Sequence, residues 1–148
     1  MKWQIAPPDH LPWLARRAKL SIGPNLRALE VIDDTGSIRG MVGLDVGVPN
    51  SVAFHIALDS PIALRRVMRE AFALAFQGLG KQVATCIVIG SNARSRRLVE
   101  HLGFRLVFTG RDYWAPGEDM LLYEMRREEC RLLNPAASQG ETVHEEAA

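Results

Sequence analysis

Residues Cys86 to Phe104 read CIVIGSNARSRRLVEHLGF, and this stretch decides the fold. It begins inside an apolar, β-branched run from Gln82 to Ile89, which is typical of a strand buried on both faces. Asn92 follows a short turn and is placed to cap a helix from about Ala93 to Leu102. Gly103 permits the left-handed turn that ends such a helix. The stretch therefore predicts a strand, a turn and a helix in succession.

The residues before this stretch divide at turn signals and at changes of hydrophobic period. An apolar stripe behind the capping residue Asp9 predicts a helix over Pro8 to Leu20. Helical spacing of apolar residues predicts a second helix over Ile62 to Phe76. Between them, three strand-like runs separated by turn signals predict an antiparallel meander: Arg27 to Ile32, Ile38 to Val48 and Ser51 to Leu58.

The residues after the stretch predict two more strands and a tail. Phe104 to Thr109 and Met120 to Met125 have strand composition, and a polar loop from Gly110 to Glu118 joins them. Residues 134–148 (NPAASQGETVHEEAA) are small, polar and acidic, which predicts a disordered tail. The order of elements indicates a single α/β (α+β) domain over residues 1–133, with a mixed central sheet flanked by helices.

Composition excludes several classes of protein. A hydrophobic fraction of 47% in 148 residues excludes a wholly disordered chain. The sequence has no apolar run of membrane-spanning length and no secretion signal at its start, so we expect neither a membrane span nor export. Its two cysteines, Cys86 and Cys130, form no disulfide framework and no metal-ligand spacing. We therefore expect a cytoplasmic protein with reduced thiols and no bound metal.

The charge is unevenly distributed. Residues 1–133 hold all 18 basic and 14 acidic residues, a net charge of +4, and 15 of the basic residues are Arg. Arg suits phosphate because its planar fork donates paired hydrogen bonds. Base composition of the genome is an alternative explanation. Nucleic-acid binding is a weaker hypothesis, because the sequence carries no RNA-binding signature. It would use three Arg clusters: Arg65, Arg66 and Arg69; Arg94, Arg96 and Arg97; and Arg126, Arg127 and Arg131.

The motif Asn-x-x-Ser-x-x-Leu-x-x-x-Leu-Gly-Phe, from Asn92 to Phe104, resembles the second half of the GNAT N-acetyltransferases. The element order matches that superfamily from Leu26 to Leu133. The ending Tyr123 to Leu133 (YEMRREECRLL) is similar to a branch common in phages and their bacterial hosts, whose functional relatives acetylate ribosomal-protein N-termini. The resemblance implies the acyl-CoA N-acyltransferase fold.

The implied activity is acetyl transfer from acetyl-CoA, the co-substrate, to a primary amine by direct attack. The amine belongs to a small molecule or to a protein N-terminus. The alternative is a catalytically degenerate binding or accessory protein of phage origin, with the same fold. A homodimer formed through the strand Met120 to Met125 is left open.

The resemblance also implies where acetyl-CoA would bind. Its pantetheine arm would lie where the strand Ser51 to Leu58 diverges from the strand Gln82 to Ile89, and its pyrophosphate at the start of the helix near Pro61. The residues expected to contact it are Phe54, Ile56 and Leu58 through their backbone, and Ser60, Arg65, Arg66, Asn92 and Ser95.

Two positions depart from the superfamily pattern. The helix start Asp59 to Arg66 (DSPIALRR) lacks the glycines that let a backbone approach phosphate closely. Arg65 and Arg66 either supply the missing attraction or are solvated helix-face residues. Val99 stands where many members have a Tyr that protonates the leaving thiolate, seven residues after Asn92, and Val cannot transfer a proton.

The general base and the acceptor site are predicted from the chemistry of a few residues. His55 lies on the third meander strand, and a neutral imidazole is suited to accept a proton near pH 7. A structural, hydrogen-bonded His is the alternative interpretation, and the other candidate bases are Asp45, Tyr113 and Glu118. Tyr113 and Trp114 are expected either to line the acceptor cleft or to cover a sheet edge.

Overall fold

The structure is a computed structural model that describes residues 1–135. The chain forms two compact units, unit 1 over Met1–Lys81 and unit 2 from Gln82 onward. Of the predicted tail, residues 136–148 lie outside the described residues. Asn134 is described, and its side-chain amide donates hydrogen bonds to the carbonyl oxygens of Arg127 and Cys130.

Unit 1 is an antiparallel sheet with strand order β1-β2-β3-β4. Its strands are β1 (Lys2–Ile5), β2 (Leu26–Ile32), β3 (Ile38–Asp45) and β4 (Ser51–Leu58). Its helices are a 3-10 turn (Pro8–His10), α1 (Leu11–Ala18) and α2 (Pro61–Phe72), which continues as a π-helical turn (Ala73–Gly78). The predicted meander and both predicted helices are confirmed, although the second helix is α-helical only as far as Phe72. The predicted cap by Asp9 is wrong, because Asp9 lies within the 3-10 turn and the N-cap residue of α1 is His10, which forms no side-chain cap bond.

The two helices of unit 1 pack on opposite faces of its sheet. On one face, Leu14 of α1 lies against Gly43, where a Cβ would come within 2.5 Å of the Leu14 side chain. On the other face, Phe72 of α2 stacks on Phe54 with ring centroids 5.2 Å apart. A side chain at Gly43 would displace the side chains of Leu14 and Leu26, so the glycine allows α1 to pack closely on the sheet.

The described residues of unit 2 form a three-stranded antiparallel sheet with strand order β5-β7-β6, together with an α-helix. The elements are β5 (Val83–Ile89), α3 (Ala93–Leu102), β6 (Arg105–Ala115), β7 (Glu118–Arg126) and a 3-10 turn (Arg127–Glu129). The predicted strand, turn and helix are confirmed: Asn92 caps α3 and Gly103 ends it with φ of 106°. The seven strands and three α-helices within residues 1–135 confirm the α/β class.

The prediction of a loop from Gly110 to Glu118 is wrong, because β6 and β7 continue to a tight turn at Pro116-Gly117. The ladder is interrupted between Gly110 and Ala115, and residues 111–114 form a bulge. The Asp119 carboxylate accepts the Asp112 N–H at 3.0 Å and stabilises that bulge. The polar residues that indicated a loop therefore belong to an irregular hairpin.

Strand β1 was not predicted, since its polar–apolar alternation (KWQI) extends over only four residues, three of which are exposed. Within residues 1–135, no helix is long and apolar enough to cross a membrane.

Candidate functional site

The predicted base His55 lies on β4, on the face of the sheet that α1 covers. It pairs with Gly43, the residue against which Leu14 packs. Asp45 pairs with Ala53, so Asp45 and His55 share this face as diagonal neighbours. The His55 side chain is half-buried, and within residues 1–135 no group donates a hydrogen bond to its ring or accepts one from it.

Two effects act on the His55 imidazole. Burial lowers its pKa below the ordinary value, and the negative charge of Asp45 raises it in part. Burial is the larger effect, since it disfavours the charged form. His55 is therefore neutral at pH 7 and can accept a proton, which is the property that a general base needs.

Of the other candidate bases, Glu118 is already engaged. One of its carboxylate oxygens accepts the Ser91 N–H at 2.9 Å, and the other accepts the Ser91 hydroxyl at 2.8 Å. Asp45 accepts the Gly47 N–H at 3.2 Å with one oxygen and keeps the other free among the described residues. Glu118 is thus less suited to proton transfer than His55, and Asp45 is placed to assist His55.

The three β4 residues that are predicted to contact the cofactor are buried to different extents. Phe54 is fully buried against Phe72, while Ile56 and Leu58 are half-buried on the same face. The prediction concerns their backbone groups, and it stays a prediction.

The start of α2 is closed by its own residues. Pro61, the first helical residue, has no N–H. The Ile62 N–H is donated to the Ser60 hydroxyl at 3.1 Å, and the Ala63 N–H to the Ser60 carbonyl at 3.1 Å. The first three helical positions therefore offer no free N–H. A backbone cradle for a pyrophosphate needs several converging N–H groups, and this helix start does not fit one.

Side chains near the same helix start carry opposite charges. Arg65 and Arg66 are exposed in the second turn of α2, and neither has an ion-pair partner within the described chain. Asp59 precedes the helix, 3.8 Å from the guanidinium of Arg17.

The start of α3 in unit 2 brings Asn92 and Ser95 together. The side-chain oxygen of Asn92 accepts the Ser95 N–H at 3.1 Å, which leaves the amide NH₂ of Asn92 as a donor. Val99 is buried at the position of the missing tyrosine. Tyr123 is fully buried, with its hydroxyl 3.4 Å from Glu100, and so it does not replace that tyrosine.

The predicted acceptor residues lie on the bulge of β6. Tyr113 packs against Phe108 with ring centroids 5.8 Å apart, and both Tyr113 and Trp114 are exposed. A groove of about 430 Å³ in unit 2 is lined by Gly90, Ser91, Arg96, Leu106, Thr109, Gly117, Glu118, Asp119 and Leu121. Neither aromatic residue lines it.

Neither cysteine is suited to act as a nucleophile. Both thiols are free and buried. Burial raises the pKa of Cys86 to about 12 and also raises the pKa of Cys130. A thiol that stays protonated is a poor nucleophile, so a covalent acyl-cysteine is disfavoured.

Sequence reasoning missed two buried charged residues in unit 1. Glu30 is fully buried, with Gln4 Nε2 donating to one oxygen at 2.7 Å and His10 Nδ1 lying 2.7 Å from the other. Lys81 Nζ donates to the carbonyl oxygens of Val46, Val48 and Pro49 at 3.2, 2.7 and 3.1 Å. These partners lie 20 to 35 residues away along the chain, so no local sequence pattern predicts the contacts. Within the described residues, no group of His, Cys, Asp and Glu could hold a metal ion.

No family model matches the sequence, and no curated protein matches it. Solved structures do match. Spermidine/spermine N-acetyltransferase SpeG from Vibrio cholerae, in complex with manganese ions, is 15% identical with a TM-score of 0.70 over 90% of this chain and 95% of that chain. The dodecameric structure of spermidine N-acetyltransferase from Vibrio cholerae matches at 15% identity and a TM-score of 0.66, over 90% and 96%. The chain therefore has the fold of the GNAT N-acetyltransferases.

Proposed function

We propose that this protein is an N-acyltransferase that moves an acetyl group from a thioester to a primary amine. A fold alone does not determine an activity, so the proposal needs a site. The observation that carries it is His55: a half-buried imidazole with a lowered pKa and a carboxylate on the same sheet face. Acetyl-CoA stays the predicted donor, and the cytoplasm the predicted location.

In the proposed reaction His55 accepts a proton from the acceptor ammonium, which frees the lone pair of the nitrogen. The amine then attacks the thioester carbonyl carbon, so that a C–N bond forms and the C–S bond breaks. The sulfur leaves as a thiolate, which takes its proton from water because Val99 cannot supply one. The second N–H proton goes to solvent. Attack is direct, since the buried thiols of Cys86 and Cys130 form no acyl intermediate.

Other residues are assigned binding roles in the same proposal. Backbone groups of Phe54, Ile56 and Leu58 are proposed to hold the pantetheine arm. The Asn92 amide and Ser95 stay predicted cofactor contacts. Backbone groups of an extended strand pair well with the amides of such an arm, as they do with an added peptide strand.

Tyr113 and Trp114 are proposed acceptor contacts, because exposed aromatic faces attract ammonium groups. Two acceptor classes follow: polyamines, on which the structural neighbours act by their names, and peptides with a free N-terminus. Parallel assays with spermidine and with such a peptide distinguish them.

The decisive variant is His55→Asn, which keeps a polar group of similar size but removes the base. We expect kcat/KM for acetyl transfer to fall by about 10²- to 10⁴-fold, the usual contribution of a general base. The control is His101→Asn, which changes an exposed histidine on α3. An unchanged rate in His55→Asn, with the rate of the control also unchanged, would contradict the role of His55.

A second candidate function, a non-catalytic accessory protein with this fold, is favoured by two observations. The start of α2 offers no free N–H in its first three positions, and Val99 replaces the acid. This function predicts no product from any pairing of thioester and amine.

A second copy of the chain is the remaining proposed partner. Unit 2 exposes Ile87, Phe108 and Tyr113, and contiguous apolar surface of this kind often mediates association. Sedimentation velocity at several concentrations measures the oligomeric state directly.

A further inference from the structure

We infer that the acyl donor is recognised along its pantetheine arm and not by a pyrophosphate cradle at α2, so that pantetheine thioesters without the nucleotide are also substrates. The inference rests on the proposed acyl transfer and names the class of donor. It starts from the disagreement between the closed start of α2 and the nucleotide end of acetyl-CoA.

The number of available donors limits what α2 can contribute. Its first three positions supply two N–H groups, and both are donated to Ser60, one to the hydroxyl and one to the carbonyl. A phosphate could displace only the hydroxyl, and it would then gain the single N–H of Ile62. One N–H does not form a cradle around two phosphates.

The side chains at the start of α2 also oppose the close approach of a pyrophosphate, by their shape and by their charge. The Ile62 side chain is exposed in the first turn, and no glycine lies between Asp59 and Arg66 to bring the backbone nearer. The Asp59 carboxylate is part-exposed beside the helix start, and its contact with Arg17 at 3.8 Å is too long to be a strong ion pair. A pyrophosphate placed here would meet this negative charge.

Arg65 and Arg66 are the residues left to attract the nucleotide. Both are exposed, and an exposed ion pair changes an equilibrium by about fivefold at most because water screens it. Two such pairs together give about thirtyfold. This sets an upper limit on the preference for acetyl-CoA over acetyl-pantetheine.

The test compares the two donors with the full-length protein. We expect kcat/KM for acetyl-CoA to exceed that for S-acetyl-pantetheine by less than about thirtyfold. The ratio should approach one in the R65Q/R66Q double variant and at high salt. Adenosine 3′,5′-bisphosphate should inhibit only at millimolar concentration. A ratio clearly above about thirtyfold, or inhibition by micromolar bisphosphate, would overturn the inference.

A second variant tests the cause. In S60G/P61G the cap is removed and an N–H is added at the first helical position, so two backbone donors become available. We expect the preference for acetyl-CoA to rise in this variant, and an unchanged or lower preference would count against the explanation.

Binding separates the two proposals. Calorimetric titration with CoA and with pantetheine measures the same ratio without turnover. Similar binding of both, with no product from any amine, refutes the proposed function and the claim that pantetheine thioesters are substrates, and it keeps only the recognition of the ligand along its pantetheine arm. Product formed from acetyl-CoA alone keeps the function and refutes the inference, and binding of neither ligand refutes the inference as well.

Discussion

Both units expose apolar side chains, but only unit 1 also buries charged ones among the described residues. Among residues 1–135, the buried charged residues are Glu30 and Lys81, and both lie in unit 1. In unit 2 the consecutive residues Leu106, Val107 and Phe108 on β6 are exposed, as is Ile87 on β5. Residue type alone therefore does not determine whether a side chain is buried in either unit. The partners available to that side chain also decide it.

The difference arises from how far helices cover the faces of each sheet. In unit 1, α1 and α2 cover both faces of the sheet, so an inward-facing polar residue must find partners among protein atoms. In unit 2, α3 packs on the face that carries Tyr123 and Met125, where Glu100 and Gly103 contact them. The side chains of Ile87 and Phe108 point to the other face, where they are about half exposed.

The largest expected effect is the removal of the Lys81 ammonium. Lys81→Met keeps the length of the side chain but deletes three charge-assisted hydrogen bonds to the carbonyl oxygens of Val46, Val48 and Pro49. We expect the free energy of unfolding to fall by about 3 kcal/mol, measured by urea denaturation. The loop between β3 and β4 should also exchange its amide hydrogens faster.

Lys2→Met is the matched control, since Lys2 is exposed on β1. Its effect should stay within about 0.5 kcal/mol. Equal effects of the two substitutions would show that the bonds of Lys81 contribute nothing to stability.

The next effect concerns Glu30. Glu30→Ala removes a fully buried carboxylate that binds Gln4 and His10, and it leaves a small cavity. We expect a loss of about 2 kcal/mol, less than for Lys81, because Gln4 and His10 are part-exposed and can bond to water instead. Glu128→Ala, an exposed residue in unit 2, should change stability by less than about 0.5 kcal/mol. If the two variants unfold at the same urea concentration, the buried network does not stabilise unit 1.

These two residues also mark the limit of prediction from sequence. The meander, α1, α3 and β5 were predictable because each has a local signal: alternation, an apolar stripe, or a cap such as Asn92. Glu30 and Lys81 have none, since a charged residue in a strand or a turn normally faces water. Within the candidate site, His55 was found from residue type and strand alternation, and its catalytic role stays a prediction.

The hairpin of unit 2 was missed for the opposite reason. Its polar, Gly- and Pro-containing residues favour a loop by composition, but the Asp119 carboxylate and the packing of Tyr113 on Phe108 hold them in a bulged strand. The start of α2 was judged from the glycines that it lacks. The structure adds that Ser60 uses the only N–H that a ligand could have reached.

A smaller effect should appear in the pH dependence of stability. The folded-state pKa of His55 is lowered, so below about pH 6.5 the unfolded chain binds a proton that the folded chain does not. Stability from this residue is therefore complete above about pH 6.5 and decreases as the pH falls towards the folded-state pKa. In urea titrations between pH 7.5 and 5.5, wild type should lose more stability than His55→Gln, whereas His101→Gln should behave like wild type. Identical losses in all three proteins would exclude His55 as the cause.

The smallest expected effect is that of a substitution at Ile87, which is compared with its neighbour Val88 on the opposite face of β5. Ile87 is 55% exposed and Val88 is 4% exposed, and they pair with Leu122 and Leu121 respectively. Ile87→Thr should change the free energy of unfolding by less than about 0.5 kcal/mol, since the new hydroxyl reaches water. In Val88→Thr the new side chain has nearly the same shape as valine, but its hydroxyl is buried without a hydrogen-bond partner. We expect the free energy of unfolding to fall by about 1–3 kcal/mol. If Ile87→Thr costs as much as Val88→Thr, then Ile87 is covered in solution, and a second copy of the chain is the partner to look for by sedimentation.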